Sequence, residues 1–412
     1  MPSMFRPLCR LAAVIAALAV AGPLTAQTPA AQPPAAEDPE RKHAFDVYES
    51  GKLAEAMPLL ESVAASHPTD AVVYERWANA VVSYAATLPN AEDRKKVRAR
   101  GHQIALKAKA LGGASPILSL LLEIPDDGTE APFSASKEVD DAMRSAEAAF
   151  VQGDMKNAQA GYLRALLLDP KLYEAALFMG DTYYRDKAYP SAGEWFARAI
   201  EIDPNREVAY RYWADALAGM GKNEESRARF IDAVVAEPYS ELSWSGLQKW
   251  TRGNKVDLVY VKLKDGSSVS VKDSKNVSVT LDSSFAKGDP NATAWLSYGL
   301  GRAAWQTDDI KKKESPNVPR SRHTLQEEVY ALRFMVTVMK ESKTDMSPSS
   351  KLDPGLKALV EIEGKGFLEP FVLLNRADDG VRQDYEEYRK SNRALVRRYL
   401  DEFVVPKAGA AK

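Results

Sequence analysis

Residues 173–204 read YEAALFMGDTYYRDKAYPSAGEWFARAIEIDP. Two amphipathic stretches flank the polar turn Arg185-Asp186-Lys187, and Pro204 ends the second. The same pattern recurs on both sides: Pro170, Pro204 and Pro238 are equally spaced. Ala146, Gly180 and Ala214 share one phase of that spacing, as do Ala158, Ala192 and Ser226. Tyr162, Phe196 and Phe230 share another, and Ala165, Ala199 and Ala233 a further one. Small residues recur where two helices must cross closely. Aromatics such as Phe178, Tyr183, Trp195 and Trp213 fill the space beside them. Each proline stops a helix, because proline cannot extend it and disfavours helix at the preceding residue. A fixed period of this length predicts helix–turn–helix units stacked into a solenoid.

Gly180, Tyr183, Ala192, Phe196, Ala199 and Pro204 resemble the tetratricopeptide repeat, and the interval from Pro170 to Pro204 equals the period of that family. The units at 139–170 and 207–238 match less fully, with Ser226 in place of alanine and Ala149 in place of a large aromatic. Upstream, Pro68 closes a unit at 37–68 that holds Ala44, Gly51, Ala56 and Leu60 in phase. A first helix follows at Ala71–Ala86. The insert Thr87–Glu92 then delays its partner to Asp93–Leu111. The resulting organisation is an N-terminal pair at 37–111, a connecting segment at 112–138, three units at 139–238 and a capping helix at 239–252. Within the connector, apolar Ile117–Leu122 is expected to pack.

The periodicity changes after Gly253. Val256–Lys264 alternates, Asp265-Gly266 is a hairpin signal, and Ser268–Lys272 and Asn276–Leu281 alternate again. This predicts a three-stranded meander. Helices are expected at Ala292–Gln306, Thr324–Glu341, Leu356–Ile362, Glu369–Leu374 and, as one long element, Asp379–Val404. The fold class is therefore mainly α: a tetratricopeptide-like α-solenoid, then a smaller α+β domain at 254–405 with a short antiparallel meander.

The N-terminus reads as a signal peptide over 1–26: Arg6 and Arg10, the apolar run Leu11–Ala21, and a small residue before Gln27. An Ala/Pro-rich linker at 27–40 and a tail at 406–412 are expected to be disordered. Cys9 is the one cysteine and lies in the leader, so disulfide or thiolate chemistry is not expected beyond it. These features point to an exported protein of a bacterial periplasm or envelope. The net charge of −2 offers no basic field for nucleic acid. No membrane span is expected in the mature chain, with an uncleaved N-terminal anchor as the alternative, and no metal or cofactor is expected.

No nucleophile elbow, phosphate loop or HExxH pattern occurs. Gly299-Leu300-Gly301 reads as helix packing and His323 as a surface or capping residue. Glu327-Glu328 beside Arg302 reads as an ion pair, with an enzyme or small-ligand module as the alternative. Trp295 and Trp305 read as core, with a glycan platform as the alternative. The resemblance implies a groove lined by the first helix of each unit. There the chain places Glu147, Phe150, Glu174, Asp181, Tyr184, Arg185, Arg211 and Asp215. Carboxylates interleaved with aromatics suit a peptide bearing a basic residue. The same residues could instead be a solvated face. The function expected is a non-catalytic scaffold whose partner is another protein or peptide.

Overall fold

The computed structural model describes residues 38–88, 90–273, 276–285, 288–307 and 322–407. The leader, most of the linker and the last residues of the tail lie outside them. The chain divides into two compact units, Met1–Gly246 and Leu247–Lys412.

The first unit is helical hairpins. α1 (Pro39–Glu49) and α2 (Leu53–Ser66) form one, and α3 (Ala71–Ala85) and α4 (Ala91–Ala110) the next. Asp70 caps α3 by accepting from the amides of Val72 and Val73. Asn90 caps α4 by accepting from Glu92 and Asp93. The cap sets the start of α4 at Ala91, so the insert is shorter than the sequence reading placed it. The connector forms α5 (Pro116–Leu122), started by the Ser115 hydroxyl, which accepts from the Leu118 amide. Leu118 and Leu121 are buried in one core with Ala78, Val81 and Ala105.

Three hairpins follow: α6 (Lys137–Val151) with α7 (Met155–Leu168), α8 (Tyr173–Arg185) with α9 (Tyr189–Ile202), and α10 (Glu207–Gly219) with α11 (Asn223–Ala236). Their turns repeat atom for atom. The amides of Asp154, Ala188 and Lys222 donate back to the carbonyls of Ala149, Tyr183 and Leu217 at 2.9 Å each. The residue before each donor is left-handed: Gly153 at φ 82°, Lys187 at 59° and Gly221 at 74°. This is the Schellman closure of a helix. Crossings are equally tight. A Cβ added to Gly180 would lie 2.5 Å from the Phe196 ring. Tyr162, Phe196 and Phe230 are buried. Over Phe230 lies the start of α12 (Glu241–Asn254). The Ser243 hydroxyl and Trp244 indole of that helix donate to the carbonyls of Glu237 and Pro238.

In the second unit β1 (Ser267–Asp273) and β2 (Asn276–Leu281) pair antiparallel, with Val269 opposite Val279. The sheet has two strands among the described residues, not three. Residues 256–264 find helical partners instead. The Val259 amide donates to the Val404 carbonyl, and the Lys262 carbonyl lies against Gly355. Asp265-Gly266 makes no hairpin: the Asp265 carboxylate pairs with Arg376, and the Gly266 carbonyl accepts from the Asp282 amide. α13 (Pro290–Thr307) packs on both strands and on α14 (Leu325–Glu341). The glycines of Gly299-Leu300-Gly301 make room for this. A Cβ at Gly299 would lie 2.4 Å from Val279, and one at Gly301 3.1 Å from Ala331.

α15 (Pro354–Gly364) and α16 (Leu368–Phe371) follow; α16 runs into a wider turn at Val372–Arg376. The expected long last helix is broken into α17 (Asp379–Arg382) and α18 (Tyr385–Tyr399), the latter ending in a wide turn at Leu400–Val404. Asp384 sits at the break. Its carboxylate accepts from Arg322 at 2.7 Å and from the Leu325 amide at 2.8 Å, so a tertiary contact overrides local helix propensity there. Among the described residues no helix is long and apolar enough to cross a membrane.

Candidate functional site

The eight residues assigned to the first-helix face are neither uniformly solvated nor uniformly open. Glu147, Phe150, Asp181 and Arg211 are buried, at 6%, 5%, 3% and 8% exposure. Glu174, Tyr184 and Asp215 are half-buried, and Arg185 is exposed. The strip therefore has a sealed floor and a solvent-reaching edge.

On the floor, Glu147 of α6 accepts a hydrogen bond from the Tyr162 hydroxyl of α7. Burial, softened by that bond and reinforced by the charge of Glu130, raises its carboxyl to about 7. Asp181 of α8 carries an Oδ2 that is buried with no hydrogen-bond partner. Burial, and then the charge of Glu147, raises its carboxyl well above the ordinary range; Arg211 opposes this. Arg211 of α10 is committed to Glu207 one turn earlier, at 2.8 Å, and Glu207 is fully buried.

At the edge, Arg185 ties α8 to α6. Its guanidinium donates to the Phe150 carbonyl at 2.8 Å and lies 5.3 Å from the centre of the Phe150 ring. Glu174 accepts from Arg206 at 2.7 Å, and Arg206 lies over the Tyr173 ring at 3.7 Å. Tyr184 packs against Tyr189 with ring centroids 5.4 Å apart. Arg206, Glu207 and Tyr162 were absent from the sequence-derived set. The four-residue step from Glu207 to Arg211 signals that pair. The Glu174–Arg206 pair needs the stacking geometry, which brings residues 32 apart to one spot.

The second unit gathers charge of its own. Arg302 donates to Glu327 at 2.8 Å, and Gln306 does so at 2.7 Å. Glu328 accepts from Tyr298 and Arg376, both at 2.7 Å. His323 lies between Glu328, 3.2 Å from its Nε2, and Asp378, 2.8 Å from its Nδ1. It is neither a surface residue nor the cap of α14. Thr324 caps, accepting from the Glu327 amide at 3.2 Å. Glu327 and Glu328 are both buried at 1% exposure. Burial would raise Glu328, but His323, Arg376 and Tyr298 overcome it and hold the group at about 2. Burial would lower His323, but Glu328 and Asp378 hold it above the ordinary histidine value. The cluster is a set of paired charges. Trp295 and Trp305 are buried at 3% each, so they offer no stacking platform for a sugar.

No protein-family model matches the chain, and no curated protein matches it. Solved tetratricopeptide structures do. YrrB, "a TPR protein with an unusual peptide-binding site", is 16% identical, with 51% of this chain and 91% of that one covered and a TM-score of 0.26. The TPR2AB domain of yeast Sti1, solved in a pHSP90 complex, is 16% identical over 52% and 95%, with a TM-score of 0.27. The P58(IPK) TPR domain is 10% identical over 79% and 98%, with a TM-score of 0.25. What decides the fold is the hairpin itself: a Schellman turn, a small-residue crossing and a proline stop, each recurring at the interval that separates Pro170, Pro204 and Pro238. The hairpins have a tetratricopeptide-like fold. In tetratricopeptide terms the candidate strip belongs to α6, α8 and α10, the first helices of three consecutive repeats.

Proposed function

We propose that this chain is an exported, non-catalytic scaffold that holds another protein or peptide against the first-helix face of its 139–238 tetratricopeptide units. The observation that carries this reading is the edge of the strip. Half-buried Glu174, Tyr184 and Asp215 and exposed Arg185 stand over a buried floor. Aromatic and arginine contacts set on fixed helices are the groups that contribute most to protein recognition. The apolar leader behind Arg6 and Arg10 supports export to an envelope compartment.

The alternative is a catalytic or ligand-binding C-terminal unit. Tyr298, Arg302, Glu327 and Glu328 do meet, which favours it. Yet both ring nitrogens of His323 lie within 3.2 Å of carboxylates, which suits a charge-paired imidazolium better than a general base. The cluster reads more economically as a charged core tie.

The test is capture from an envelope extract by the chain starting at Gln27. Arg185→Glu with Asp215→Lys should abolish capture of the main partner, while Leu167→Lys on the exposed face of α7 leaves it intact. Equal capture by all three proteins would contradict the assignment of the face.

A further inference from the structure

α12 ends as the hairpins of the trio do. The Val256 amide donates to the Thr251 carbonyl at 3.0 Å and the Lys255 amide to the Arg252 carbonyl at 3.3 Å, with Lys255 left-handed at φ 55°. These bonds satisfy carbonyls at the helix end, so its negative pole is covered from within. Residues beyond the turn come back to the helix, where the Tyr260 phenol meets the side chain of Gln248. Between them lies an open cleft of 480 Å³, a volume in the range of small-molecule sites.

The lining is chemically divided. Arg252 and Lys255 are exposed cations, and neither side chain is paired with a carboxylate among the described residues. Asp257 is the one carboxylate of the lining, so two positive charges stand against one negative. Leu258 is apolar and half-buried, and Tyr260 is 49% exposed. Lys255 is the informative residue. Gly153 and Gly221 hold the same left-handed position in two turns of the trio at no steric cost. At residue 255 the chain accepts the strain of an L-side chain and thereby puts an ammonium on the cleft.

We propose that this cleft binds a small organic anion, with its carboxylate or phosphate oxygens on Arg252 and Lys255 and its body against Leu258 and Tyr260.

Arg252 supplies a planar fork that matches either oxyanion, and Lys255 a compact point charge. Surface cations alone attract any anion weakly and lose it to salt. Here an apolar wall adjoins them, so a ligand with a ring or chain behind its oxyanion gains contact that inorganic phosphate does not. None of these residues belongs to the first-helix strip or to the buried charges around Glu328, and the proposal does not rest on the functional reading above.

The experiment is titration calorimetry on the whole chain in about 0.15 M salt, where nonspecific attraction is screened. The probes are phenyl phosphate, benzoate, inorganic phosphate and, as the neutral control, benzyl alcohol. The better aromatic anion should bind about tenfold more tightly than inorganic phosphate, and benzyl alcohol should not bind. A preference for phenyl phosphate names a phosphate-bearing ligand and a preference for benzoate a carboxylate; either supports the site. Lys255→Gly keeps the turn and removes the cation, and together with Arg252→Gln it should weaken the better probe by about tenfold. Tyr260→Ala should weaken it too while leaving inorganic phosphate unchanged. The proposal is overturned by equal binding to wild type and double variant, by inorganic phosphate binding as tightly as the aromatic anions, or by no binding at about 10 mM. Should the double variant fail to fold, amide spectra of the wild type decide. Probe-induced shifts confined to residues 248–260 support the cleft, and shifts elsewhere or none overturn it. No readout needs the protein partner, so failure here is distinguishable from failure of the binding assignment.

Discussion

Lys187 holds at φ 59° a backbone position that Gly153 and Gly221 hold in the flanking repeats. For an L-residue that region costs on the order of 1–2 kcal/mol. The period that reveals the repeat thus also reveals the non-glycine turn of the trio. Lys187→Gly should stabilise the chain by about 0.5–1 kcal/mol after the larger entropy of glycine in the unfolded state is set against the relief. A urea midpoint that falls instead would place the strain elsewhere. Glu328 behaves in the opposite way, because its worth lies in its partners. Removing one member of a buried ion pair typically costs about 3–5 kcal/mol, so Glu328→Gln and Arg376→Met should each destabilise by that order in denaturant titration. The Glu328–Arg376 pair was not legible in the sequence, since Arg376 lies 48 residues further on. Glu327 with Arg302 was legible as an ion pair, though not its burial.

At the scale of elements, what the sequence revealed and what it hid divide by whether the controlling contacts repeat. The crossing of α8 and α9 was readable because Gly180 and Phe196 have counterparts one period away on both sides. Gly180→Ala would drive a methyl into the Phe196 ring and should destabilise, and Phe196→Ala should cost about 3–5 kcal/mol through the cavity it leaves. Calorimetry on both variants checks this. Residues 256–264 alternate as a strand does, yet the Val259 amide bonds to the chain end at Val404. Periodicity reports that a segment is extended and is silent on what it lies against. The break before α18 was hidden for the same reason: Asp384 is bound by Arg322 and the Leu325 amide, both far away in the chain. On the candidate strip, the sequence assigned the residues to the first helices through their phase. It missed that Glu147 and Asp181 are sealed, because burial there depends on neighbouring repeats.

For the whole molecule, the two units should respond differently to pH. Glu147 is raised on folding, so its contribution is fully present below its ordinary value of 4.5 and is lost as pH rises to about 7, a difference of about 3 kcal/mol. Glu328 is depressed, so its contribution is present above 4.5 and is lost as pH falls toward about 2. His323 is raised, so its contribution is present below 6.5 and is lost as pH rises through its folded value. Residue-resolved hydrogen exchange should therefore show α6–α10 protected best in mild acid. It should show the α13–α14 cluster protected best between about pH 4.5 and 6.5, where Glu328 is ionised and His323 charged. The measurement that tests the central claim most directly is photo-crosslinking in intact cells that make the protein, with a benzophenone side chain placed at Tyr184 on the first-helix face or at Leu167 on α7. The account predicts one dominant crosslinked protein at Tyr184 and none at Leu167. Crosslinks from Leu167 alone, or from neither position while a probe in residues 254–405 captures a partner, would contradict it.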